Sequence, residues 1–241
     1  MTIDTGAERL KRKMKRYAKK RDREQIKSKD KYNVKKQAGY TTERSVAGLI
    51  EFFEAALNLK SVKRSGWIEK VHVTNPESVA DHSFSMSAAS MLLADVLGLE
   101  VEKTLRMAIL HDIAESITGD YMPEEIASGK KLAIERKAIG NILAGLPPKI
   151  RMQYRNIWEE YAAGKSPVAR LVHAIDKFEM SMQAEYYAKQ GYSDKLLEQF
   201  FNSARLALVG IGQKVGGGNA IEELLAAILA QHFKAEQWKE H

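Results

Sequence analysis

The sequence predicts an all-α protein: a helical bundle preceded by a basic N-terminal extension. From Ser45 onward, apolar residues recur at helical spacing in one segment after another, and no alternating run is long enough to define a strand. Gly98, Gly119 and the pair Pro147-Pro148 each close a periodic segment, as helix-ending residues do. The composition, 44% hydrophobic and 29% charged over 241 residues, is that of a globular chain with length enough for a substantial core. Cysteine is absent, which excludes disulfides, zinc ribbons and thiolate nucleophiles, so any metal must be held by nitrogen and oxygen. No run of 18 apolar residues occurs and the first residues lack the apolar core of a signal peptide. A cytoplasmic protein without a membrane span is therefore expected.

The extension comprises residues 1–44. It holds 16 Lys and Arg against 6 Asp and Glu, whereas the remaining 197 residues hold 22 against 25. The formal charge of +7 thus belongs to the extension, and the body, 45–241, is mildly acidic. With few large apolar residues the extension predicts a solvated helix or a disordered arm. Clustered Lys and Arg can attach to RNA, DNA or anionic lipid by releasing counterions, and the same composition serves as a solubilising tail. Tyr17 and Tyr32 are too far apart to make a stacking platform.

In the body, Leu49, Ile50, Phe52, Phe53, Ala56 and Leu57 form an apolar stripe that predicts a helix over 46–59. Lys60 to Asn75 reads as a connection, closed by Pro76. A long helix is expected from Ser78 to Leu97 and another from Val101 to Ile117, followed by a mixed polar stretch after Pro123. Further helices are expected at 131–146, 148–163, 166–190, 193–210 and 219–236. Gly216-Gly217-Gly218 lacks both the Lys-Ser/Thr and the preceding strand of a phosphate loop, so it reads as a flexible link.

The informative residues are the polar ones inside strongly apolar segments. His82 lies in ESVADHSFSMSAASMLLADVL, His111-Asp112 follow Met-Ala-Ile-Leu, and Asp176 stands between Ile175 and Phe178. A carboxylate in a core is costly unless it is paired or coordinates a cation. Two such carboxylates with two histidines make a divalent metal the economical explanation. Neighbours on a helix point about 100° apart, so His111 and Asp112 can converge on an ion between them, with His82 and Asp176 supplied by other helices as in bundle metal sites. Imidazole with carboxylate suits Mn²⁺, Co²⁺, Fe²⁺ or Ni²⁺, while all-oxygen sites favour Mg²⁺ or Ca²⁺. Singly, each residue also reads as a hydrogen-bonded core group.

The series His82, His111-Asp112, Asp176 resembles the H…HD…D signature of the HD-domain metal-dependent phosphohydrolases. The flanks RSGW (64–67), PESVADHS (76–83), HDIAESITGD (111–120) and IDKFEM (175–180) look like the HD domain-containing protein 2 family, which is related to bacterial 5′-deoxynucleotidases. The resemblance covers residues 46–210 and implies an HD-domain helical bundle. The implied reaction is hydrolysis of deoxynucleoside 5′-monophosphates by direct attack of a metal-activated water, with His82, His111, Asp112 and Asp176 as metal ligands. Mn²⁺ or Co²⁺ is the expected ion, with Mg²⁺ as an alternative.

The resemblance casts Glu115 as the group that orients or deprotonates the water, and its spacing from Asp112 puts it on the same helix face. It casts Asp120 as a second catalytic or sugar-contacting carboxylate, the alternative being an Asp that caps a turn. Thr118 is implied as a pocket hydroxyl, or else an ordinary helix-end threonine. Arg64 is implied to face phosphate and Trp67 the sugar, although two residues separate them here where the bacterial enzymes have an adjacent pair. Lys63 and Lys70 are alternative phosphate cations, and Trp67 also reads as a buried anchor. His173 is either a supporting group beside the site or a packed histidine, and Ser78 and Asp81 read as helix-start residues. The resemblance admits a homodimer, since the related enzymes are often dimers, and the apolar segment Ile221 to Phe233 reads either as an interface or as part of the core. Rival readings are an HD phosphohydrolase acting on a cyclic nucleotide, a triphosphate or a sugar phosphate, and a nucleic-acid-binding protein with a vestigial site.

Overall fold

The computed structural model describes residues 43–122 and 126–215, together with residues 223, 225, 227 and 228. Residues 1–42 of the extension, the Gly216–Gly218 link and most of the helix expected at 219–236 lie outside the described residues. The described part is helical, with ten helices: α1 (Glu43–Asn58), α2 (Ser65–Val71), α3 (Val79–Leu97), α4 (Val101–Leu110), α5 (Glu115–Thr118), α6 (Ser128–Leu143), α7 (Pro148–Ala163), α8 (Pro167–Lys189), α9 (Asp194–Leu208) and α10 (Ile211–Val215). An isolated bridge between Lys63 and Ser78 is the extended pairing found among the described residues. No helix among them is long and apolar enough to cross a membrane.

The helix ends follow local chemistry. Ser78 and Asp81 form a capping box on α3: Ser78 Oγ accepts from Asp81 N–H at 3.2 Å, and Asp81 Oδ2 accepts from Ser78 N–H at 2.9 Å. Gly98 closes the helix at φ 65°. Pro148 opens α7 and Gly164 ends it at φ 61°, while Ser166 caps α8 by accepting from Ala169 N–H at 3.1 Å.

α8 is the axis of the bundle. It packs against α3, α4, α7, α9 and α10, so more than half of its residues are buried, including Asp176, Glu179 and Glu185. α1 leans on α6 and α5 instead. That contact is close because both sides are glycine: a Cβ on Gly48 would lie 2.1 Å from the Gly145 carbonyl.

Three elements differ from the sequence expectation, one being α10, five residues over Ile211–Val215 where no helix is expected. The connection over 60–75 contains α2, a short helix anchored by Trp67 and Val71, which are buried against Phe200 and the core. Seven residues carry too little periodicity to be read locally, and tertiary burial of the tryptophan supplies what the segment lacks. The helix expected over Val101–Ile117 is interrupted. It stops at Leu110, and His111 to Ala114 form a turn in which Ile113 N–H bonds Leu110 O at 3.3 Å and Glu115 N–H bonds Asp112 O at 2.9 Å. These i→i−3 bonds tighten the backbone toward 3₁₀ geometry, in which residues three apart eclipse. Asp112 and Glu115 are therefore aligned by the turn rather than by an α-helical face.

Candidate metal centre and active site

Three elements converge on one point. α3 contributes His82, the turn after α4 contributes His111 and Asp112, and α8 contributes Asp176. His82 Nε2 lies 3.2 Å from Asp176 Oδ1 and 3.9 Å from Asp112 Oδ2, and His111 Nε2 lies 3.0 Å from the same Asp112 oxygen. One donor atom from each of His82, His111 and Asp176 falls within 4.8 Å of the others. The two rings stand edge to face, 5.5 Å apart.

The free imidazole nitrogens show what this arrangement accepts. His111 Nδ1 lies 2.6 Å from the Ala108 carbonyl, which can only accept, so Nδ1 carries the proton and Nε2 presents a lone pair. His82 Nδ1 lies 2.6 Å from Glu179 Oε2. Both Nε2 atoms are buried and make no hydrogen bond of acceptable geometry. Orphaned buried nitrogens facing two carboxylates fit a cation: ligands about 2.1 Å from a common ion stand roughly 3.0–3.5 Å from one another, close to the spacings found. The mixed nitrogen and oxygen donors suit a transition metal.

The charges around the point are tightly coupled. Burial alone would raise the Asp112 carboxyl, but His111, Arg64 and His82 hold it far below the usual carboxylate range. Burial likewise opposes ionisation of Asp176, and Lys177, His82 and Arg64 overcome it. Lys177 Nζ sits 2.9 Å from Asp176 Oδ2. Arg64 Nη1 reaches Asp112 Oδ2 at 3.4 Å. Its burial would lower the guanidinium, but Asp112, Asp120, Asp176 and Glu115 raise it above its ordinary value.

His111, Asp112, Asp176, Lys177 and Arg64 line a cavity of about 710 Å³, within the range of small-molecule sites, and His82 lies buried behind them. Its walls include Arg64, Trp67, Glu115, Asp120, Lys131 and Phe200. Glu115 is 3% exposed and its Oε2 has no hydrogen-bond partner. Burial, then Asp112 and Asp120, push its carboxyl well above the usual range, against Arg64 and Lys131. Lys131 Nζ is 3.8 Å from Glu115 Oε1 and donates to the Tyr121 carbonyl at 2.9 Å. Asp120 Oδ2 accepts the Ser65 N–H at 2.8 Å, so this carboxylate also caps the first turn of α2 and ties it to the site.

The remaining expected residues fall into place unevenly. Trp67 is 1% exposed, tilted 31° against Phe200 at 4.1 Å between centroids with its Nε1–H donating to Glu77 Oε1 at 2.9 Å; it is a buried anchor that also borders the cavity. Thr118 is not brought to the cavity. Its hydroxyl turns back on the carbonyls of Gly119, at 3.0 Å, and Ala114, at 3.4 Å. Lys63 donates to the Pro76 carbonyl at 2.9 Å and lies outside the lining, whereas Lys70 borders it. His173 stacks on Tyr161, 4.1 Å between centroids, and its Nε2 meets the Tyr161 carbonyl at 2.9 Å. Sequence reasoning missed Lys131, Lys177, Glu77 and Glu179. Glu179 had a local signal, since it follows Asp176 by three residues on a helix buried nearly all round. Lys131 had none.

An all-helical bundle that places a histidine, a His-Asp pair and a later aspartate around one point is the arrangement of the HD class. The chain belongs to the HD domain family, whose model matches residues 56–209. Within that family it is similar to the 5′-deoxynucleotidase HDDC2 of Dictyostelium discoideum, 35% identical over 171 residues, covering 66% of this chain and 90% of that protein. The same-named protein of Danio rerio is 33% identical over 156 residues, covering 64% of this chain and 77% of the relative. Among solved structures, the PH0347 protein from Pyrococcus horikoshii OT3 superposes with a TM-score of 0.60 at 32% identity, over 74% of this chain and 97% of that one.

Proposed function

We propose that this chain is a metal-dependent phosphomonoesterase that hydrolyses deoxynucleoside 5′-monophosphates to deoxynucleoside and phosphate, with the phosphoryl group passing directly to water. The observation that carries the reading is the pair of orphaned imidazole nitrogens on His82 and His111. They converge with Asp112 and Asp176 where His111 and both carboxylates line a cavity that also holds Arg64 and Glu115, with His82 buried just behind it. The relatives named 5′-deoxynucleotidase support the substrate class.

His82, His111, Asp112 and Asp176 would hold the ion, Mn²⁺ or Co²⁺ by donor type, with Mg²⁺ as the alternative. Bound there, a divalent cation supplies Lewis acidity toward phosphate oxygens and makes water more acidic. Glu115, with a carboxyl raised by burial and by its acidic neighbours, takes the proton of the attacking water. Lys131, 3.8 Å away, keeps that carboxylate oriented. Arg64 offers a planar guanidinium for the phosphate, a geometry suited to two parallel hydrogen bonds. Lys177 and Lys70 border the same cavity and add positive charge. Asp120, fixed through Oδ2 by the Ser65 N–H, presents its carboxylate to the sugar or the leaving oxygen. No serine or cysteine nucleophile is required.

The test is a panel of deoxynucleoside and ribonucleoside mono-, di- and triphosphates, cyclic nucleotides and sugar phosphates, assayed with Mn²⁺, Co²⁺ and Mg²⁺ for the product released. Inorganic phosphate from deoxynucleoside monophosphates is expected. Absence of monophosphate hydrolysis across the panel, or release of pyrophosphate or triphosphate instead, overturns the reading.

A further inference from the structure

One helix places a carboxylate beside each ring nitrogen of His82. On α8, Asp176 places Oδ1 3.2 Å from Nε2, and Glu179, three residues later, places Oε2 2.6 Å from Nδ1. The imidazole is fully buried and so spans less than one turn of α8 between two acidic side chains. His111 is treated differently, because its Nδ1 meets a main-chain carbonyl at Ala108. A carbonyl is present whatever the side chain, whereas the partner of His82 is itself a side chain that the sequence must supply.

Building on the metal centre proposed above, we propose that Glu179 is the positioning residue for His82: its carboxylate accepts the Nδ1 proton, fixes the tautomer and ring rotation, and so aims the Nε2 lone pair at the cation. The chemistry follows from the acceptor. A carboxylate facing Nδ1 holds a proton there, so Nε2 is the nitrogen left to a cation, with its basicity raised, once the cation takes the place of any proton shared with Asp176. Glu179 is 7% exposed, and burying a carboxylate without a partner is costly, so the 2.6 Å contact is also what keeps Glu179 inside.

Glu77 lies beside this pair without bonding to it. A carboxylate oxygen of Glu77 lies within 4.8 Å of donor atoms on both His82 and Glu179. Glu77 is itself fixed on two sides, accepting from Trp67 Nε1–H at 2.9 Å and donating its main-chain N–H to the Tyr187 hydroxyl at 2.9 Å. Trp67 borders the cavity, and its hydrogen bond to Glu77 ties the cavity wall to the side chains behind His82. The trio Glu77, His82 and Glu179 also has the donor types of a second cation site. The 2.6 Å contact argues against it, since a cation there would need the Nδ1 position that the proton occupies.

The experiment measures Mn²⁺ affinity of the full chain by competition with a chelator, alongside the visible spectrum of the Co²⁺-loaded protein and the thermal midpoint of the metal-free protein. Glu179→Ala should weaken Mn²⁺ binding by about 10–100-fold and alter the Co²⁺ spectrum. Glu179→Gln keeps the size and an accepting oxygen, so it should recover part of that affinity and should fold as the wild type does. Glu77→Gln should bind one Mn²⁺ per chain with affinity near that of the wild type. Wild-type affinity and an unchanged Co²⁺ spectrum in both Glu179 variants would overturn the role of Glu179 and leave the metal centre standing. Failure of the wild type itself to bind Mn²⁺ or Co²⁺ would overturn both. Two Mn²⁺ per chain, falling to one in Glu77→Gln, would make the trio a cation site and also overturn the proposal.

Discussion

Glu115 and Glu179 are the same residue type, both buried, yet their surroundings give them opposite properties. Glu179 meets the ring nitrogen of His82 at 2.6 Å and is absent from the cavity wall. Glu115 borders the cavity, has an oxygen with no hydrogen-bond partner, and has its nearest ion-pair partner 3.8 Å off in Lys131. Burial and like charge push the Glu115 carboxyl upward, so it holds a proton more readily than an exposed glutamate and can exchange it with water. A carboxylate with a committed hydrogen bond positions a neighbour, and one kept short of partners beside open space is free to react. Burial alone distinguishes neither.

The comparison breaks first at the shared floor. Asp112→Ala removes an oxygen that serves both His82 and His111, and it leaves Arg64 without its nearest carboxylate. Metal binding and turnover should both be lost, by more than the roughly 10–100-fold that loss of a supporting partner costs. Metal content after dialysis and steady-state rates check it. Glu115→Gln should keep the metal and lower kcat by about 10²–10⁴-fold, the usual contribution of a positioned acid or base. A Glu115→Gln enzyme with wild-type kcat would remove Glu115 from the mechanism and erase the contrast with Glu179.

A smaller effect concerns Glu77, whose carboxyl is raised to about 7 by burial and then by Glu179, against His82, Trp67 and Arg64. Because the folded value exceeds that of the unfolded chain, this group's contribution is fully present below about 4.5 and is lost as pH rises through about 7. In the metal-free protein, Glu77→Gln should lack that loss. Its thermal midpoint relative to wild type should therefore climb between about pH 4.5 and 7, by roughly 2–4 °C for each kcal/mol involved. A flat difference across that window would mean that Glu77 does not titrate there. The smallest effect is expected at Thr118, whose hydroxyl is occupied by carbonyls away from the cavity. Thr118→Val should leave kcat/KM within about twofold.

The contrast also shows how much of this protein could be read along the chain. Proline, glycine and serine at segment ends set most helix limits, because capping and backbone restriction act within a few residues. Pro148–Ala163 agrees with the expected span, and the capping box at Ser78 and Asp81 was readable as helix-start chemistry. The candidate metal-ligand types were legible for a related reason: a His or Asp in an apolar helix violates the local pattern wherever it packs. α2 and the turn at His111 were not legible, since Trp67 is stabilised by Phe200, some 130 residues away, and the turn sits where α4 gives way to α5.

By itself, then, the sequence determined the all-α class, the order of the long helices and the residue types suited to a nitrogen and oxygen metal site. Only the tertiary structure decided which side chains meet. It brought Lys131 to Glu115 and Glu179 to His82, tied Asp120 to the start of α2, and turned Thr118 away from the cavity. Periodicity records which face of a helix is buried, but the partner across that face depends on how the helices dock. At this site the partner sets whether a buried carboxylate is committed to an imidazole nitrogen, as Glu179 is, or left short of hydrogen bonds beside open space, as Glu115 is.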